Sequence, residues 1–101
     1  MTQRTVIFTA AAERQVERLY DYISAQGGDM RADNYLNRLI QYCEGLALFP
    51  ERGHRRDDIL TGLRIIGFER RTTIAFTITA TTVLIEGVFY GGQNLEDGFP
   101  T

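Results

Sequence analysis

The sequence contains no lysine; all 11 of its basic residues are arginines. Arginine suits flat, two-pronged contacts with carboxylate or phosphate, although the codon usage of a GC-rich genome accounts for the bias more simply. There is one cysteine, Cys43, which excludes an internal disulfide and any cysteine-built zinc site. There is also one histidine, His54, so neither a metal centre nor any other cofactor is expected. No run approaches the ~20 apolar residues of a membrane span, and the first residues lack the charged-then-apolar pattern of a secretion signal. The expectation is a cytoplasmic protein. With a net charge of −2, the chain also lacks the cationic excess that sequence-independent nucleic-acid binding requires.

What is present is ordinary globular composition: 44% hydrophobic and 24% charged over 101 residues, read as one domain with a loosely held tail over residues 91–101. A domain of this size buries roughly two-thirds of its unfolded surface and gains from a partner.

Residues 4–9, RTVIFT, alternate and are β-branched, which predicts a strand. Thr9 then caps a helix, with Glu13 near its positive end. Val16, Leu19, Tyr20 and Ile23 fall on one helical face, and Gly27-Gly28 stops the helix. Asp29 is placed to cap a second helix. Its apolar stripe is Leu36, Leu39, Ile40, Cys43, Leu46 and Ala47, and it ends at Phe49-Pro50. Residues 50–61 read as a polar loop. Three strands follow at about 62–68, 72–79 and 82–90, joined by short turns and therefore antiparallel neighbours. The predicted fold is α+β: an N-terminal strand, an antiparallel helical hairpin and a three-stranded antiparallel meander, with the helices on one sheet face.

Alternation divides the strand residues between two faces. Leu63, Ile65, Ile74, Phe76, Ile78, Val83, Ile85 and Phe89 suit the face under the helices. Arg64, Ile66, Phe68, Thr73, Ala75, Thr77, Leu84, Glu86, Val88 and Tyr90 fall on the other. An exposed apolar patch of that kind suits a partner, unless the tail folds back over it.

Chemistry is sparse. His54 has Asp57 and Asp58 as candidate orienting carboxylates, but a surface histidine in a self-neutralising Arg55-Arg56-Asp57-Asp58 run is the plainer reading. Arg64, Arg70, Arg71 and Tyr90 are the residues with which such a sheet would cleave RNA, the arginines stabilising phosphate charge and the tyrosine moving a proton. A good general base is missing from that set. Gly91-Gly92 lacks the helix that a phosphate loop requires.

The segments ALFPERGHRRDD, GLRIIGFERRTTIAFTI and IEGVFYGGQNLED, in this element order, resemble a ParE-type toxin of the RelE/ParE superfamily, from bacterial type II toxin–antitoxin modules. The resemblance runs from Val6 to about Asp97. It implies a protein that poisons DNA gyrase by binding, with no cofactor, and that is neutralised by a ParD-like antitoxin. The antitoxin surface it suggests combines Arg64, Ile66, Phe68, Leu84, Glu86, Val88 and Tyr90. The related RelE toxins are ribosome-dependent mRNA endonucleases, with basic residues on the central strands and a tyrosine or histidine near the last strand's end. Arg64 and Tyr90 occupy roughly such places here. The lysine cluster of some RelE enzymes is absent, and Gly91-Gly92-Gln93 stands where many relatives place a basic residue. A non-toxic, antitoxin-binding relic is the third reading.

Overall fold

Thr9 ends the first strand and starts the first helix. Its backbone N–H still bonds Ile85 O, while its hydroxyl accepts from the Ala12 N–H at 3.0 Å, satisfying a donor that the helix start would otherwise leave unpaired. In the computed structural model, which describes residues 3–91 and 95–99, β1 is Thr5–Phe8, α1 is Ala10–Gly27 and α2 is Asp29–Glu44. A 3-10 turn follows at Gly45–Ala47. Then come β2 (His54–Arg55), β3 (Arg64–Phe68), β4 (Thr72–Ile78), β5 (Thr82–Tyr90) and a second 3-10 turn at Leu95–Gly98.

The hairpin corner is tighter than expected. Gly27 is the last residue of α1, and Gly28 alone makes the turn at φ 90, a conformation glycine adopts without steric cost. Gly28 is also the N-cap of α2. Asp29 does not cap it; its carboxylate accepts from the Ser24 hydroxyl across the corner.

The sheet has five strands in the order β1-β5-β4-β3-β2. The meander is antiparallel as expected, and β1 pairs in parallel with β5, Thr5 opposite Thr82. β2 is a short edge strand inside the segment expected to be loop, with His54 opposite Ile65. Gly53 permits it, since at φ 78 its Cα lies against the Ile65 carbonyl.

The helices cover one sheet face. Leu19, Ile23, Leu36, Leu39, Cys43 and Leu46 meet Ile74, Phe76, Val83 and Ile85. Ile40, expected in this stripe, is exposed. Phe68 and Val88 are also in this core, at 8% and 3% exposure, with Ile66 and Tyr90 packed against it. Arg64 registers with Phe76 and so lies on the helix side as well. These five residues were expected on the opposite face. In β3 both phases of the alternation are apolar, so period alone did not decide. In β5 the alternation breaks at a bulge: Ile85 pairs with Phe76 and Gly87 with Ala75, leaving Glu86 unpaired. One extra residue reverses the side of all that follow, carrying Val88 and Tyr90 under the helices and Phe89 out.

On the other face, Leu63, Ala75 and Phe89 form a second cluster with Ile59, Ile65, Leu95 and Phe99. The expected helix-side placement of Leu63, Ile65 and Phe89 is corrected accordingly. Thr77 and Glu86 share a 2.9 Å hydrogen bond, and Leu84 lies opposite Ile7 on this face. Leu95 and Phe99, from the tail expected to be loosely held, pack against this cluster, Phe99 lying 6.0 Å from Phe89 between ring centroids. Residues 92–94, 100 and 101 of that expected tail lie outside the described residues.

Candidate functional site

The β3–β4 connection is a three-residue turn, Glu69-Arg70-Arg71, in which Glu69 (φ 47) and Arg70 (φ 68) both take the left-handed conformation. That conformation costs a non-glycine residue about 1 kcal/mol or more, so something must hold it. Two side chains of α2, one helical turn apart, do so from either end. Arg38 forms a two-pronged ion pair with Glu69, Nε to Oε2 at 2.8 Å and Nη2 to Oε1 at 3.0 Å. The Tyr35 hydroxyl shares a 2.5 Å hydrogen bond with Thr72, which is buried immediately after the turn. The Arg38 guanidinium also sits 5.4 Å over the Tyr35 ring, a favourable cation–ring contact.

Between this turn and the corner of the hairpin lies a groove of about 660 Å³. Tyr22, Tyr35 and Tyr90 form its aromatic wall, with Tyr22 5.4 Å and Tyr35 6.4 Å from Tyr90 between centroids. Met30 stands at the corner at 78% exposure. Arg31 lies across the corner, where a side-chain carbon at Gly27 would come within 2.4 Å of its Cδ. Gln26 and Asn34 add polar groups to the lining.

Burial pushes the Tyr35 hydroxyl above its ordinary pKa, the Thr72 hydrogen bond offsetting part of the effect. The hydrogen bonds from Arg38 hold the Glu69 carboxyl below the usual carboxylate range. Neither group is thereby suited to take a proton at neutral pH. Cys43 is buried in the core, and desolvation raises its thiol to about 12, which removes it as a nucleophile.

Of the residues proposed for RNA cleavage, the fold brings Arg70, Arg71 and Tyr90 to one end of the sheet and leaves Arg64 apart. Tyr90 lies beside the arginine turn, since Gly91 N–H bonds Arg71 O at 2.7 Å and Tyr90 registers with Thr72. Arg64 is at the far end of β3, four residues from Phe68 and two strands from Tyr90. Strand geometry puts its Cα roughly 16 Å from that of Tyr90. His54 is at that far end too. The carboxylates expected to orient it are used elsewhere, Asp57 by Arg55 at 3.0 Å and Asp58 by Arg56 at 2.9 Å. Of the surface first expected for a partner, Phe68 and Val88 are core, Leu84 and Glu86 lie on the face opposite the helices, Ile66 packs against the core on the helix side, and Tyr90 lines the groove. Among the described residues no cluster of three His, Cys, Asp or Glu side chains is placed to hold a metal, and no helix is long and apolar enough to cross a membrane.

Sequence reasoning missed Tyr22, Met30, Arg31, Tyr35, Arg38 and Glu69. A signal was available: Met30, Asn34 and Arg38 recur every four residues, with Arg31 and Tyr35 beside them, so the second helix carries a groove face next to its core face.

This geometry is that of the RelE/ParE-like α+β fold. The family described as the ParE toxin of type II toxin–antitoxin systems, parDE, matches residues 6–95, and the chain belongs to that family. Among solved structures, the chromosomal ParDE toxin–antitoxin system from P. aeruginosa is similar with a TM-score of 0.76 and 17% identity, covering 88% of this chain and 97% of that one. The RelBE2 toxin–antitoxin complex from Mycobacterium tuberculosis is similar with a TM-score of 0.63 and 22% identity, covering 88% and 99%. YafQ from E. coli follows at 0.53 and 15%, covering 87% and 93%. No curated protein sequence matches the chain. At these identities the structural likenesses speak to fold.

Proposed function

We propose that this protein is the toxin of a type II toxin–antitoxin module that inhibits DNA gyrase by binding, and that a ParD-like antitoxin neutralises it. Membership of the ParE family supports both partners. The observation that carries binding over catalysis is the want of a general base beside Tyr90, Arg70 and Arg71, together with the separation of Arg64 from them. Arg64 is a sheet-length from Tyr90, Tyr90 is packed among tyrosine rings, and the carboxylate nearest the arginine turn is held ionised by Arg38. A catalytic set needs its acid, base and charge-stabilising groups within hydrogen-bond reach of one reacting atom. Tyr90 is therefore a docking residue in this reading.

The test is a supercoiling assay with purified gyrase, ATP and relaxed plasmid, the protein being titrated in with and without the antitoxin. Loss of supercoiling or trapped cleaved DNA, reversed by the antitoxin, is the expected result. Normal supercoiling at excess protein, with ribosome-bound mRNA cut within codons and protected in Tyr90→Phe, would replace this reading with a RelE-like nuclease. Neither effect, with antitoxin binding retained, would indicate a non-toxic relic.

A further inference from the structure

We infer that the groove between the hairpin corner and the β3–β4 turn docks an acidic segment of the antitoxin bearing an apolar side chain. This rests on the antitoxin reading above and names the place and chemistry of one contact.

The first argument is charge. Arg31 and Arg38 line this groove with one carboxylate, Glu69, and Arg70 and Arg71 follow Glu69 in the adjoining turn, in a protein whose net charge is −2; Asp29, at the corner, accepts from Ser24. Among the described residues Arg38 has its ion pair, whereas no carboxylate lies within pairing distance of Arg31, Arg70 or Arg71. Three cations without a carboxylate in reach, one lining the groove and two in the turn next to it, are an arrangement that a complementary acidic partner relieves, and such complementarity sets partner choice and association rate.

The second argument is the apolar content. Met30 is the most exposed large apolar residue described, and Tyr22 beside it is 50% exposed. An adaptable thioether next to an aromatic edge suits an aliphatic or aromatic side chain. The same rings suit single-stranded nucleic acid poorly, because base stacking needs open ring faces. Here Tyr35 and Tyr90 meet at 89°, and Tyr35 also packs edge-on against Phe68 at 74°. The third argument is rigidity. The Arg38–Glu69 pair and the Tyr35–Thr72 bond hold the arginine turn from both ends, so Arg70 and Arg71 are presented at little ordering cost.

The test measures antitoxin affinity by calorimetric titration for the wild type, Arg31→Glu/Arg71→Glu, Met30→Asp and the remote control Arg14→Glu, each checked for folding by circular dichroism. At ~50 mM salt the double reversal is expected to weaken binding at least about tenfold, with the gap shrinking by ~500 mM as charges are screened. Met30→Asp weakens binding at both salt concentrations, and Arg14→Glu leaves it within about twofold. Wild-type affinity in the folded double reversal and in Met30→Asp overturns the groove assignment while leaving the antitoxin reading intact. No binding by the wild type overturns that reading itself. Binding of oligo(U) RNA that the same variants abolish, with antitoxin affinity unchanged, assigns the groove to nucleic acid instead.

Discussion

Two pairs of adjacent arginines flank β3, and their surroundings differ. Before the strand, Arg55 and Arg56 are answered at once by Asp57 and Asp58, each in a two-pronged contact within its own loop. After the strand, no carboxylate among the described residues pairs with Arg70 or Arg71, and the turn carrying them is strained and held by α2. The first pair folds a loop onto itself. The second stands in the turn next to a groove. Identical residue types in identical spacing thus do different work, because an acid two residues along the chain is available to one pair and not to the other.

Four experiments break or sharpen this contrast. The largest effect is expected for Phe68→Asp, at the last residue of β3 beneath the arginine turn. A carboxylate at an 8% exposed position among Tyr35 and Tyr42 should cost about 4 kcal/mol or more. Chemical denaturation that shows an unchanged midpoint would place Phe68 on a surface after all.

Next is Gly53→Ala at the other end of the strand. An added Cβ would lie 2.1 Å from the Ile65 carbonyl oxygen at φ 78, and a loss of about 2–4 kcal/mol is expected. Hydrogen exchange should show the His54–Ile65 pairing opening while the β3–β4 turn stays protected.

Third, Arg70→Gly removes left-handed strain at φ 68 and should raise stability by about 0.5–1 kcal/mol in urea unfolding. Antitoxin affinity should fall in the same variant. A gain in both would separate the turn from binding.

The smallest effect is acid sensitivity. Hydrogen bonds from arginine hold the Asp57, Asp58 and Glu69 carboxyls below their ordinary values. Their contribution is therefore present above the ordinary carboxylate range and is lost as pH falls through the depressed folded values. All three side chains are well exposed, so the decline in Tm toward pH 3 should be slight and should flatten in high salt. Glu69→Gln should remove only the part that belongs to the turn.

Much of the scaffold was legible in the sequence. Thr9 with Glu13, the stripe Leu36-Leu39-Cys43, and the glycines at 27 and 28 announced two helices and their corner. The strands appeared within a residue or two of their places, because β-branched runs bounded by turns have few other uses. The faces were less legible. In β3, Leu63 and Ile65 compete with Ile66 and Phe68 for the core, and only docking against Tyr35 and Tyr42 decides between them. In β5 the sole hint of a bulge was Gly87, and one unpaired residue moved Val88 and Tyr90 to the other side. The groove was less legible still. Its residues come from α1, α2, the β3–β4 turn and the end of β5, and no local pattern spans such distances.

By itself, the sequence determined the kinds and order of the main elements, the short β2 excepted, the family to which the chain belongs, and the exclusion of an internal disulfide from a chain with one cysteine. These depend on local backbone preference and residue counts, which are written along the chain. Tertiary structure alone decided which face of the sheet each strand residue occupies, which arginines are neutralised, and that Tyr90 meets Tyr22 and Tyr35 beside the arginine turn. Those outcomes depend on strand register and on contacts between residues dozens of positions apart. A shift of one residue reverses them while leaving every local preference satisfied.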